Sequence, residues 1–161
     1  MKKYLGTLIA IILLTSVSCQ EKTDIEKEKT AILKMLDDEI KLFIAGDKEG
    51  LSTIHVQDVL DTRFDGTKIY SGWSEIETLL QGYIERNKND TISKNVRNVK
   101  ENIILKVTGN TAWLICDNIW KWEENGESKE AGNYQISFLE KINGQWKFSF
   151  NAFVNNGTSP E

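Results

Sequence analysis

The feature that most constrains the fold is a series of four strand-like segments in the second half of the chain, joined by turn-forming residues. The segments cover about 99–107, 111–122, 130–141 and 145–154, and the turns between them contain Gly109-Asn110, Asn125-Gly126 and Asn143-Gly144. Alternating apolar and polar residues, rich in β-branched and aromatic types, are typical of half-buried strands. Because short turns join neighbouring antiparallel strands, the pattern predicts a four-stranded antiparallel meander.

One segment of this meander, Thr111 to Trp122, carries three tryptophans and a single carboxylate, Asp117, in a run without helix breakers. Its composition is typical of a central strand, whose side chains alternate between the two faces of a sheet. The face that meets a cavity therefore decides which of these side chains can bind a ligand.

The first half of the chain begins with two predicted helices. Apolar residues at helical spacing define a first helix with one apolar stripe: Ile32, Leu36, Ile40 and Phe43. Thr23 or Asp24 can cap its start, and Gly46 ends it. Asp47 can cap a short second helix that reaches about His55.

A small hairpin and a third helix come next. Asp65-Gly66 forms a turn between short strands at 58–64 and 68–70. Ser74 to Glu77 has the form of a capping box, and the helical stripe that follows ends near Asn87. Together with the meander, these elements predict an α+β fold in which a curved sheet wraps around helices.

Residues 1–18 predict an export signal. Lys2 and Lys3 supply a basic start, 5–14 are apolar but too short to span a membrane comfortably, and 15–18 are small. Small residues leading into Cys19 resemble the cleavage box of bacterial lipoproteins, which implies lipidation of Cys19. Ser16 stands where that box usually has leucine, so ordinary cleavage remains open. Gln20, rather than an aspartate, implies by resemblance an outer-membrane location in the bacterial cell envelope.

The rest of the chain predicts a polar tether at 19–29, one domain at 30–155 and a frayed tail at 156–161. The formal net charge of −4 argues against nucleic acid as a partner, which leaves the lipid anchor as the only expected membrane contact. Cys116 is the only cysteine besides Cys19, so we expect no internal disulfide and a packed Cys116 thiol.

Several short segments of the sequence resemble segments of SnoaL-like proteins in the nuclear transport factor 2-like superfamily. They are Ala45-Gly46-Asp47, Asp65-Gly66, 70–76 (YSGWSEI), Thr111-Ala112-Trp113, 138–141 (FLEK) and 144–147 (GQWK). The resemblance covers about Ile25 to Val154. It implies a curved, mixed or antiparallel sheet wrapped around helices in a cone with a cavity, and a homodimer through the outer face of the sheet.

Ketosteroid isomerase belongs to the same superfamily, but its chemistry does not fit this sequence. By that resemblance the catalytic base position falls on Arg63, the oxyanion tyrosine on Glu39 and the partner acid near Ile136. Arginine stays protonated and cannot abstract a proton from carbon. We therefore expect no isomerase activity of this type.

The same alignment predicts a polar cluster in an apolar cavity. Glu39 interrupts the apolar stripe of the first helix, and pairing with Arg63 would explain a carboxylate there. When the superfamily pattern is continued along the next two strands, it implies that two sets of side chains face the cavity. On the strand at 111–122 they are Trp113, Ile115, Asp117 and Ile119, and on the strand at 130–141 they are Gly132, Tyr134, Ile136 and Phe138. Asp117 would then join Glu39 and Arg63. A strand bulge would instead turn Asp117 to solvent.

The functional hypotheses follow from this cluster. The first is a binding domain that holds a small amphipathic molecule at Glu39, Arg63, Trp113, Asp117, Tyr134 and Ile136. The second is a cyclase- or dehydratase-like enzyme with Asp117 or Glu39 as general base, and the third is a dimerisation module. The outward tryptophans, predicted to be Trp120 and Trp122, would lie in the dimer interface. The lone His55 argues against a metal site, and we expect no cofactor.

Overall fold

The computed structural model describes residues 24–157. Its elements, in chain order, are α1 (Ile25–Ala45), α2 (Lys48–Thr53), β1 (Thr62–Phe64), β2 (Ile69–Ser71), α3 (Trp73–Asn89), β3 (Lys94–Thr108), β4 (Thr111–Glu124), β5 (Glu127–Ile142) and β6 (Gln145–Asn155). Three helices and a curved sheet confirm the predicted α+β class. Among the described residues, no helix combines the length and apolar character that a membrane span needs.

All six strands form one sheet in the order β2-β1-β6-β5-β4-β3. The four long strands pair antiparallel in sequence order, which confirms the predicted meander. β1 pairs antiparallel with β2 and parallel with β6, so the sheet is mixed. This parallel pairing carries the small hairpin to the edge of the meander, where Arg63 lies opposite Asn151.

The helix ends follow the local signals in the sequence. Asp24 accepts a hydrogen bond from the backbone N–H of Lys27, and Gly46 ends α1 with a left-handed φ of 69°. Asp47 caps α2 in the same way as Asp24 caps α1. The predicted capping box at Ser74 to Glu77 is wrong, because α3 already begins at Trp73. Its N-cap residue is Gly72, which makes no side-chain capping hydrogen bond.

The core lies between α1 and the inner face of the sheet. Its buried residues come from α1 and from β3 to β6: Ile32, Met35, Leu36, Val107, Ala112, Leu114, Cys116, Leu139, Trp146 and Phe148. Cys116 is a packed thiol, as expected. Glu28 joins helix to sheet, since its carboxylate accepts hydrogen bonds from Lys141 Nζ at 2.6 Å and Trp146 Nε1 at 2.7 Å. The end of the predicted tether is therefore helical and packed.

The predicted export signal and Cys19 lie outside the described residues, so lipidation stays a prediction. Metabolic labelling with palmitate in a bacterial host checks it. We expect incorporation into the wild-type chain and none into Cys19→Ser, while Cys116→Ser keeps the label. Unlabelled wild-type protein, released in soluble form from the envelope, would instead indicate ordinary cleavage.

Candidate functional site

A cavity of about 290 Å³ lies between the three helices and the inner face of the sheet. Its helical wall includes Ile40, Phe43, Leu51 and Leu80, and the sheet contributes Trp120 and Phe153. Polar side chains also line it: Glu39, His55, Arg63, Asp65, Tyr83, Arg86, Asn87, Lys100, Asn118 and Asn133. A cavity that combines apolar surface with inward polar groups is the usual form of a small-molecule site.

Glu39 lies on the cavity side of α1 and is 8% exposed. Its nearest cation is Lys100, whose Nζ lies 3.9 Å from Glu39 Oε2, at the limit of an ion pair. Oε2 accepts no hydrogen bond within the described residues. A buried carboxylate oxygen without a donor is costly, and this makes Glu39 a candidate contact for a ligand.

Lys100 is one of several cavity residues that the sequence did not predict. The alternation of apolar and polar residues along this strand predicts that Lys100 faces solvent, but β3 shifts register between Glu101 and Ile104, where Asn102 has a φ of 51°. A bulge of this kind turns the residues on its two sides to opposite faces. The asparagine in mid-strand was the available signal, because asparagine tolerates the left-handed conformation.

An amide ladder holds Lys100 in place on the inner face of the sheet. Lys100 Nζ donates to Gln135 Oε1 at 2.6 Å and to Asn118 Oδ1 at 3.2 Å. Asn118 Nδ2 donates in turn to Asn133 Oδ1 at 3.0 Å. These bonds satisfy the amides that face the cavity, so the ammonium and its acceptors form a rigid polar floor.

Arg63 lies on β1 and is 9% exposed. Its guanidinium stacks over the ring of Phe153, 4.5 Å from the ring centroid. Nε and Nη1 have no hydrogen-bond partner among the described residues. Burial lowers the pKa of the Arg63 guanidinium from its usual range, and the negative charge of Glu39 partly offsets this. The cavity therefore contains a buried cation with unused donors, a suitable partner for a carboxylate.

The predicted cluster forms only in part. Glu39 and Arg63 line one cavity, but no ion pair within 4.0 Å joins them among residues 24–157. The predicted inward direction of Asp117 is wrong: it accepts a hydrogen bond from Asn102 at 2.6 Å, opposite the exposed Tyr134. A single-residue error in register reverses the face of every side chain on a strand.

The same reversal affects the other predicted lining residues. Trp113 and Ile136 share the outer face with Asp117 and Tyr134, because the side chains that enter the core and cavity from β4 and β5 are their sequence neighbours. Those neighbours are Ala112, Leu114, Cys116, Asn118 and Trp120 on β4, and Asn133, Gln135, Ser137 and Leu139 on β5. Trp120 therefore lines the cavity instead of a dimer interface, and Trp122 lies on the same side of β4.

His55 and Asp61 form a second buried polar group at the cavity wall. Each is 1% exposed, and His55 Nδ1 lies 3.1 Å from Asp61 Oδ2. The rings of Trp73 and Phe148 pack against the imidazole at 5.0 and 5.5 Å between centroids. This contact fixes the orientation of the imidazole ring. The sequence hint was weak, since a lone histidine is more often structural.

Metal chemistry has no evident site in the described part of the chain, where no group of three or more His, Cys, Asp or Glu side chains could hold an ion. Asp65 also lines the cavity, but its carboxylate accepts hydrogen bonds from its own hairpin. Burial alone would raise its pKa, but hydrogen bonds from the backbone of Lys68 and Thr67, and from the Thr67 and Tyr70 side chains, lower it to about 2.

No protein-family model and no curated protein matches this chain in sequence. Solved structures do match its fold. A nuclear transport factor 2-like protein with a cystatin-like fold from Novosphingobium aromaticivorans has a TM-score of 0.68 at 16% identity, over 99% of this chain and 94% of that one. A proposed scytalone dehydratase from the same organism has a TM-score of 0.65 at 17% identity, over 83% and 95%.

A third similar structure is a nuclear transport factor 2-like superfamily protein from Salmonella enterica. It has a TM-score of 0.67 at 13% identity and covers 84% of this chain and 95% of that one. At such identities the likeness establishes the fold and leaves function to the site itself.

Proposed function

The chain has the nuclear transport factor 2-like fold, and from its cavity we propose that it is a binding domain for a small amphipathic molecule that carries a carboxylate. The observation that carries this proposal is the buried guanidinium of Arg63. A guanidinium that is 9% exposed, with Nε and Nη1 unpartnered, is a costly arrangement unless an anion completes it. Arginine binds carboxylates in a planar, two-bonded geometry, which a lysine cannot reproduce.

The rest of the cavity supports an apolar body on this ligand. Phe153 lies under the guanidinium, so the ligand would pass from the charged group directly to an aromatic surface. Ile40, Phe43, Leu80 and Trp120 continue the apolar lining away from Arg63. Burial of a ring or a short alkyl chain against these residues would supply most of the binding free energy.

Catalysis is the alternative function. Asp117 gives it no support because this carboxylate lies on the outer face, whereas Glu39 and the His55–Asp61 pair remain beside the cavity. A histidine oriented by a carboxylate can act as a general base. We prefer binding because Arg63 has two donor nitrogens without a hydrogen-bond partner among the described residues, and a bound carboxylate would engage them. Mass spectrometry of a carboxylate recovered after incubation separates the two, since an altered molecule would favour the enzyme.

Calorimetric titration tests the binding proposal. We expect benzoate, phenylacetate or hexanoate to bind the purified protein, and the matching neutral amides to bind at least tenfold more weakly. Arg63→Met removes the buried partner of the carboxylate and should weaken binding by about 30-fold or more, which corresponds to about 2 kcal/mol. Arg86→Met is the matched control, because Arg86 is an exposed residue of the cavity wall beside Tyr83.

Two results would contradict this function. One is equal affinity for acids and amides, and the other is an Arg63→Met variant that binds carboxylates as well as the wild type does. An Arg86→Met variant that loses as much affinity as Arg63→Met would assign the anion site to the cavity mouth instead.

We further propose that the domain forms a homodimer through the outer face of the sheet. Apolar side chains continue across four strands there: Ile104, Trp113, Ile115, Ile136, Phe138 and Phe150. Ile104 and Phe138 are at least half exposed, and the Phe138 and Phe150 rings are 5.7 Å apart. A contiguous apolar patch of this kind is typical of an interface, and a two-fold axis would cover it with a second copy.

Sedimentation of the purified protein at tens of micromolar checks this assembly. We expect a dimer, and we expect Phe138→Glu to shift it to a monomer with an unchanged circular dichroism spectrum. Val59→Glu, at a loop residue that is 83% exposed, is the control and should leave the dimer intact. A monomeric wild-type protein would rule out this interface.

A further inference from the structure

We propose that the cavity selects hydroxylated carboxylic acids: the carboxylate binds Arg63, and a neutral hydroxyl on the same molecule donates a hydrogen bond to Glu39. This inference rests on the binding function proposed above and specifies its ligand class. It starts from two unpartnered groups of opposite hydrogen-bonding character in one cavity. Arg63 Nε and Nη1 can only donate, and Glu39 Oε2 can only accept.

The other buried atoms without a hydrogen-bond partner among the described residues lie outside the cavity lining. Asn98 Oδ1 and Asn151 Nδ2 also lack partners, but neither side chain lines the cavity. The amides that do line it, Asn118 and Asn133, are engaged in the ladder with Lys100. Among the described residues that line the cavity, Glu39 and Arg63 are the two that combine a buried side-chain atom without a hydrogen-bond partner with burial above nine-tenths.

The charge near Glu39 decides which kind of donor fits. Lys100 Nζ lies 3.9 Å from Glu39 Oε2, and its bonds to Gln135 and Asn118 hold it there. A ligand ammonium bound to Glu39 would come within a few ångströms of this second cation, and like charges at that distance repel strongly in a buried site. A hydroxyl donates the same hydrogen bond without a charge, so hydroxy acids fit better than amino acids.

The size of the cavity limits the molecule that joins the two polar groups. About 290 Å³ is at the lower end of the range for small-molecule sites. Aromatic side chains from α1 and the sheet, Phe43, Trp120 and Phe153, supply flat apolar surface between the polar ends. A single ring bearing a carboxylate and a hydroxyl matches this lining, and hydroxybenzoates are suitable probes.

The test compares benzoate, its 2-, 3- and 4-hydroxy derivatives and the matching methoxybenzoates by calorimetric titration. We expect at least one hydroxybenzoate to bind about tenfold more tightly than benzoate, because a hydrogen bond to a charged acceptor is worth about one factor of ten or more. The matching methoxybenzoate, which cannot donate, should lose this gain. In Glu39→Leu the hydroxyl preference should disappear while benzoate still binds.

Glu39→Gln provides a second variant of nearly unchanged size, in which a neutral acceptor should retain only part of the preference. If benzoates bind through Arg63 but no hydroxyl isomer gains affinity, the hydroxy-acid inference is overturned and the binding function stands. If 3-(aminomethyl)benzoate binds more tightly than every hydroxybenzoate, the argument for a neutral donor is overturned. If no benzoate binds at all, both this inference and a carboxylate ligand of this size fail together.

Discussion

We expect replacement of Arg63 with methionine to raise the free energy of unfolding of the ligand-free protein by about 2 kcal/mol, even though it removes a charged residue from the sheet. The reason is that Arg63 is buried with two unpartnered nitrogens, so its desolvation is only partly offset. The stacking over Phe153 is worth about 2 kcal/mol at a desolvated site and limits the gain. Methionine has a similar length and packs against the same ring without a charge.

Urea unfolding followed by tryptophan fluorescence measures this change. Arg86→Met, at an exposed site, should alter stability by no more than about 0.5 kcal/mol. A carboxylate at 100 times its dissociation constant should stabilise the wild type by about 2.7 kcal/mol and Arg63→Met far less. A destabilised Arg63→Met variant would show that the arginine supports the fold, and it would remove the main argument for an anion site.

Replacing Asp61 with alanine lowers the free energy of unfolding by about 3 kcal/mol, which we expect to be the largest loss from any single carboxylate in the domain. Asp61 is almost fully buried and bonds His55 at 3.1 Å, while the imidazole is enclosed by Trp73 and Phe148. Without the carboxylate, the Nδ1 group of His55 is left buried without a partner and a small cavity remains.

A double-mutant cycle with leucine at both positions measures the coupling free energy between His55 and Asp61. We expect His55→Leu/Asp61→Leu to cost less than the sum of the two single changes, because the double variant leaves no orphaned polar group. Asp37→Ala is the control: this exposed carboxylate pairs with Lys41 along α1, and its loss should cost no more than about 0.5 kcal/mol. Additive costs at residues 55 and 61 would show that the contact contributes no coupling energy.

The two predictions describe different uses of buried charge in one cavity wall. The carboxylate of Asp61 has its partner and stabilises the fold, whereas Arg63 and Glu39 each retain unpartnered atoms at a cost in stability. Residues held in costly arrangements concentrate at functional sites, because the cost is recovered when a ligand binds. The contrast is the physical basis for our proposal that Arg63 and Glu39 bind a ligand, whereas Asp61 orients His55.

Part of the site was visible in the sequence. Glu39 broke an apolar helical stripe, which already indicated a carboxylate that faces the interior, and the motif resemblance assigned Arg63 an inward position. Both residues do line the cavity. Asp117, Trp113, Tyr134 and Ile136 were misplaced together, because a strand repeats every two residues and one wrong anchor reverses the whole set.

The sequence alone determined the kinds and order of the elements, because their signals are local. Asp24 and Asp47 cap helices within three residues of themselves, Gly46 ends α1 through its own backbone, and the turns at Gly109 and Asn143 join neighbouring strands. Only the tertiary structure decided which strand face meets the helices. That choice depends on the bulge at Asn102 and on pairing between distant strands, and it brings Lys100, Trp120 and His55 into the cavity with Glu39 and Arg63.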